Sequence, residues 1–296
     1  MRNTGRALLA AAAFALAGAA AAGPIIIAGT DADDHGSASA GVNFTGWKFM
    51  QQAFEQIGAN VTNGNSTIVC IGCNSSTALN AFNSAVSLSS VSASTRVSLT
   101  STLDIANFFN GTGVVNINNT GTIYMPTVVN NIGGGMTDAQ LAIVNLNGAV
   151  INAFVTAGGG LFTQEQANSA IGYGWLQSLL PGFVVRGDNV GGVANSSQLF
   201  LTAAGQAQFP TLTNADISNA TPWHAYFTGN IGGLQVLVNG NGDNVGGFND
   251  AVVLGGGFAG GGGTITPTPG VPEPGTWALG ALGLIGLALS RRRARK

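Results

Sequence analysis

Apolar and polar positions alternate between two kinds of pattern from residue 24 to about residue 254. Ile25-Ile26-Ile27-Ala28-Gly29, Thr67-Ile68-Val69-Cys70-Ile71-Gly72 and Thr122-Ile123-Tyr124-Met125 are short apolar runs with no polar alternation, as expected of strands covered on both faces. Between them, Asn43 to Ile57 sets Trp47, Met50, Phe54 and Ile57 at helical spacing, with Gly58 where a C-terminal cap belongs. Ser75 to Val86 predicts a second helix. Thr137-Asp138-Ala139-Gln140 has the form of a capping box opening a third, which runs to about Thr156. Leu161-Phe162-Thr163, Gly182-Phe183-Val184-Val185, Leu234 to Val238 and Ala251 to Leu254 complete the strand candidates.

Strand–helix–strand order in units of about 30 residues predicts one α/β domain with a mostly parallel sheet flanked by helices, Rossmann-like or flavodoxin-like. The alternative is an all-β sandwich, because residues 87–121 and 186–250 are rich in Ser, Thr, Asn and Gly and could be strands joined by turns. Ala153-Phe154-Val155-Thr156-Ala157-Gly158-Gly159-Gly160-Leu161 resembles the helix-to-strand passage of class I glutamine amidotransferase-like folds. The chain has no Gly-x-Cys-x-Gly elbow and no His-x-Glu pair, so the resemblance implies no amidotransferase activity.

Both ends carry a different pattern. Arg2 and Arg6 precede an apolar, Ala-rich run from Ala7 to about Ala20, and Ala20-Ala21-Ala22 supplies the small residues of a cleavage site. Residues 1–22 therefore read as a signal peptide, and the exported domain as residues 23–254. Residues 255–270 are first Gly-rich and then Thr/Pro-rich, the composition of a flexible and then extended tether. After it come Val271-Pro272-Glu273-Pro274-Gly275, an apolar segment Thr276 to Ser290, and the basic tail Arg291 to Lys296. At about 1.5 Å per residue the apolar segment is short for a ~30 Å bilayer core and crosses it only if Arg side chains snorkel or the bilayer thins. The basic tail stays cytoplasmic and leaves the domain outside.

Residues 271–296 resemble the PEP-CTERM sorting signal of Gram-negative bacteria. The resemblance implies recognition of Pro272, Glu273 and Pro274 by exosortase, a membrane transpeptidase, from a precursor anchored through residues 276–290. It also implies a destination at the cell surface or in the extracellular matrix, where such proteins accompany exopolysaccharide.

Charge narrows the partners. Residues 23–270 hold eleven acids against three bases, Lys48, Arg96 and Arg186, a net charge of −8. Nucleic acid is excluded as a partner, since its binders need clustered Lys and Arg.

Candidate chemistry gathers after the first strand. Asp31-Ala32-Asp33-Asp34-His35-Gly36 is the densest polar cluster, and an open α/β sheet binds ligands at the carboxyl ends of its strands. Asp31, Asp33 and Asp34 are candidate ligands for Ca²⁺ or Mg²⁺, and His35 a candidate base; the competing reading is a solvated loop. Cys70 and Cys73 form Cys-x-x-Cys in an exported chain with no other cysteine. A disulfide between them needs a turn at Ile71-Gly72, since an extended strand holds their Cα atoms about 10 Å apart. Without the bridge they are buried thiols, or Cys73 is reactive at a helix N-terminus. Asn239 to Asp250 has oxygen side chains at some EF-hand spacings but reads better as a Gly/Asn hairpin turn. His224, beside Trp223 and Tyr226, is either packed in a core or near a sugar-binding surface, and Glu165 reads as a solvated carboxylate at a strand end rather than a catalytic acid. Two functions remain: an exported protein with a structural or binding role linked to exopolysaccharide, and a hydrolase-like enzyme using the strand-end Asp, His and Cys residues, with Glu165 or His224. The hydrolase requires those side chains to converge.

Overall fold

A computed structural model of the chain describes residues 22–128, 135–166, 169–187, 199–218, 224–240 and 249–257. The chain divides into two compact units, Met1–Ile265 and Thr266–Lys296. The second unit, residues 1–21 of the expected signal peptide and residues 241–248 of the turn expected between Asn239 and Asp250 lie outside the described residues.

The expected α/β architecture is present as a ten-stranded mixed sheet with helices on both faces. Its parallel half runs β5 (Arg96–Leu99), β4 (Ile68–Ile71), β6 (Thr122–Met125), β7 (Gly160–Gln164), β1 (Ile25–Ala28). Beyond β1 the sheet turns antiparallel, through β12 (Asp250–Gly256), β10 (Ala225–Gly229) and β8 (Phe183–Gly187). β11 (Gln235–Gly240) also pairs with β12, and β9 (Phe200–Leu201) with β11. Residues 186–250 therefore do contribute strands, but as the antiparallel flank of an α/β sheet and not as a sandwich. β12 continues to Gly256, two residues past Leu254, because Gly255 and Gly256 pair with Ile26 and Ile25.

The apolar run of β1 has its physical reason in the two cores. Ile25 and Ile27 pack into one and Ile26 and Ala28 into the other, all at 0% exposure, so neither face of the strand has room for a polar side chain. One core is covered by α1 (Gly46–Asn60) and α2 (Ser76–Ser87), which supply Phe49, Met50, Phe54 and Phe82. The other is covered by α3 (Thr102–Phe109), α4 (Asp138–Leu146), α5 (Gly148–Thr156) and α6 (Leu176–Leu179).

Three predicted elements differ in detail. α1 begins at Gly46 because Val42–Thr45 forms β3, paired with β2 (Gly36–Ser39) in a hairpin. Gly58 does not end that helix but lies where a Cβ would meet Val91 Cγ1 at 2.3 Å. The helix predicted over 137–156 has its capping box, Thr137 with Gln140. It is nevertheless two helices bent by 63° at Asn147, where Gly148 packs closely on Trp175 and Ser178. Among the described residues α7 (Ala203–Gln208) and α8 (Asn214–Ser218) complete the α-helices.

Phe54 holds α1 to the sheet. Its ring meets Phe82, Tyr124 and Phe162 at 5.8, 5.4 and 5.4 Å between centroids, and it is 1% exposed. Truncation leaves a cavity that rigid neighbours cannot fill, so Phe54→Ala should cost about 3–5 kcal/mol. Denaturant unfolding with an unchanged slope and a lowered midpoint would show it.

Candidate functional site

The site grows out of the chain leaving β1. Gly29 carries no side chain because the backbone of Ala225 passes over it: a Cβ there would sit 1.9 Å from the Ala225 carbonyl oxygen. The Gly29 carbonyl accepts from both His224 N (2.8 Å) and Ala225 N (3.1 Å). This close approach sets His224, at the entry to β10, beside Asp31 across 193 residues of chain.

Gln164 at the end of β7 holds the loop that follows. Its Oε1 accepts from Ala32 N at 2.8 Å and Thr30 Oγ1 at 3.2 Å. From the far side, Trp47 Nε1 donates to the Asp33 carbonyl, and Thr45 Oγ1 and Gly46 N donate to that of His35. Thr45 takes φ +52° to do so, an uncommon conformation for a β-branched residue.

Asp31 is 0% exposed. Its Oδ2 lies 2.9 Å from His224 Nε2 and 3.5 Å from His35 Nε2, while Asp34 Oδ1 lies 3.0 Å from His35 Nε2. Burial alone would raise the Asp31 pKa, but the two imidazoles outweigh it and hold the carboxyl below its usual range. Asp34 is pushed up to about 6 by burial and by the neighbouring Asp31 charge. Burial would lower His35, yet Asp31 and Asp34 raise it. Asp31, Asp34, His35 and His224 thus form one acid–imidazole cluster, opening to solvent through side chains 32% exposed at His35 and 23% at His224. The loop is not a solvated one: Asp31 and Asp33 are buried, and Asp31 and Asp34 face imidazoles.

Asp33 departs from the expected ligand set. Its side chain turns inward, accepting from Gln164 Nε2 (3.2 Å) and Thr127 Oγ1 (3.3 Å). Burial, then the charges of Asp31 and Asp34, raise its pKa well above the usual value. Gln164 Nε2 also donates to the buried Tyr124 hydroxyl at 2.7 Å. Burial, with Asp33 adding to it, raises that phenol well above the ordinary tyrosine value.

Cys70 and Cys73 form a disulfide. The required turn is there: Gly72 adopts φ +87°, and the Cα atoms come to 5.9 Å. Cys73 as a bridged, buried sulfur has no thiol to offer the cluster.

Glu165 corrects the expectation of a solvated strand end, being 1% exposed. Its Oε1 accepts from Thr163 Oγ1 at 2.6 Å. Burial pushes the carboxyl up to about 8, with the Thr163 and Tyr173 hydroxyls offsetting only part. Tyr173 is itself occupied by Gln166, whose N donates to its hydroxyl and whose carbonyl accepts from it. Sequence reasoning missed Gln164 as the clamp. Its signal was the polar run Gln164-Glu165-Gln166 directly after an apolar strand.

Residues 270–293 match the family model of the PEP-CTERM protein-sorting motif. The chain carries a PEP-CTERM sorting signal. No curated protein and no solved structure matches the chain. The PEP-CTERM signal, with Pro272, Glu273 and Pro274 inside the match, marks an exported protein made as a membrane-anchored precursor and sorted by exosortase, a membrane enzyme. It is a match to the address and says nothing of the acid–imidazole cluster.

Glu165 makes stability depend on pH. The unfolded chain releases this proton near the ordinary value of 4.5, whereas the folded chain keeps it to about 8. Its contribution is therefore fully present below 4.5 and declines as pH rises to 8, by on the order of 4 kcal/mol. Glu165→Gln should remove that slope and be the more stable protein at pH 8, as read from denaturant midpoints between pH 5 and 8.

Proposed function

We propose that the chain is an exported, exosortase-sorted surface or extracellular-matrix protein whose α/β domain binds a ligand at the carboxyl edge of its sheet, in a role linked to exopolysaccharide. The observation that carries the binding site is the convergence of Asp31, Asp34, His35 and His224. Fixing a buried carboxylate between two imidazoles costs desolvation, and residues of distant origin meet there through dedicated backbone contacts. The sorting signal supports the surface destination, and the exopolysaccharide association implied by the family resemblance is the reason for this choice of ligand.

Co-sedimentation of the full chain with exopolysaccharide from the producing cells tests this role. An Asp31→Asn/His224→Gln chain should still be exported but lose at least about tenfold in association, the scale of a lost charged hydrogen bond. Equal retention of both chains, or of neither, would remove the binding role.

The same convergence favours a hydrolase-like enzyme as a second reading, now without the Cys73 thiol. Its groups are His224 or His35 as base, oriented by Asp31 and Asp34. Hydrolysis of ester or glycoside substrates by the full chain, lost in His224→Gln, would establish it.

A further inference from the structure

We propose that Asp31, Asp34, His35 and His224 bind one first-row divalent metal ion, zinc before calcium or magnesium. This rests on the reading of the cluster as a ligand site and names what first occupies it.

Three observations converge. The first is donor spacing. The donor atoms of Asp31, Asp34 and His35 lie within 4.8 Å of one another, and the nearest separations, with His224 included, are 2.9, 3.0 and 3.5 Å. Ligands about 2.1 Å from a tetrahedral ion sit about 3.4 Å apart: Asp31, Asp34 and His35 reach that spacing by small movements, and His224, which meets the group through Asp31 Oδ2, joins the shell by a turn of its ring. Both imidazoles present Nε2, which leaves each Nδ1 outside the cluster for an orienting partner.

The second is charge. Asp33 is turned inward to Gln164 and Thr127, which leaves Asp31 and Asp34 as the carboxyl groups facing the imidazoles. Lys48 is committed to Asp216 at 2.8 Å, and Arg96 to the Asn83 carbonyl. A divalent ion binding there would displace the protons that these carboxyl and imidazole groups share, and would itself supply the positive charge facing Asp31 and Asp34.

The third is donor chemistry. Calcium and magnesium take shells of hard oxygen ligands, for which Asp31, Asp33 and Asp34 would have served. The inward turn of Asp33 and the arrival of His224 replace that set with two nitrogens and two oxygens, which suits zinc and its first-row neighbours. The loop is braced independently of any ion by Gln164, Trp47 and the β2–β3 hairpin. The partial exposure of both histidines leaves the outer side open to an entering ion.

The test is a titration of the full chain, purified in detergent and stripped with a chelator, using Zn²⁺, Mn²⁺, Ca²⁺ and Mg²⁺ alone, followed by calorimetry and by the visible spectrum of Co²⁺. One zinc per chain should bind. His224→Gln and His35→Gln should each weaken it about 100-fold, and both should keep the wild-type circular dichroism since their side chains are partly exposed. Asp104→Asn, remote from the cluster, should change nothing. Absence of zinc binding, binding undiminished in both histidine variants, or a preference for Ca²⁺ would each overturn the inference. The two readings fail separately. Loss of polysaccharide association in the double variant of a chain that binds no metal sinks the metal site alone, whereas metal binding without polysaccharide association sinks the polysaccharide role alone.

Discussion

A carboxylate with no access to water, placed immediately after the central strand, is the constraint around which this domain is arranged. Asp31 is 0% exposed, and a charge in that position must be met by positive or proton-donating groups or be extinguished by protonation. It is met by His224 and His35, and the cost appears in its neighbours, where Asp34 is raised to about 6 and Asp33 well above its usual value. The backbone serves the same end. The Gly29 carbonyl captures the start of β10, and Gln164 ties β7 to the loop. The junction between the parallel and antiparallel halves of the sheet is thereby also the place where the cluster forms.

That location follows from topology. Strands β4, β6, β7 and β1 run parallel and deliver their carboxyl ends to one edge, where loops are free of the sheet ladder and carry polar side chains. The two apolar cores below hold the strands rigidly, so the loops inherit fixed starting points. Cys70–Cys73 is at that edge too, but its sulfurs are bridged and buried. Its consequence is a fixed turn between β4 and α2 and not a reactive group.

Much of the architecture was legible because the signals are local. Unalternating apolar runs such as Ile25-Ile26-Ile27 announce strands buried on both faces, and Thr137 with Gln140 announces a helix start. Less legible were features set by neighbours distant in sequence. The hairpin before α1, the bend at Asn147 and the passage of Gly58 through a helix against Val91 all depend on what packs alongside. Asp31, Asp34 and His35 were visible as one polar cluster, whereas the place of His224 in it and the withdrawal of Asp33 were not.

By itself the sequence determined the address and favoured the class of fold: the sorting signal is a linear code read by membrane machinery, and hydrophobic periodicity is a property of neighbouring residues. Only the tertiary structure decided which polar groups share one site. Residues 193 positions apart meet at Asp31 because β10 docks on the end of β1, and adjacent Asp33 and Asp34 part because Gln164 and Thr127 draw one of them inward. The direction in which a side chain points after a strand ends is set by what the fold brings to that end, and chain order carries no record of it.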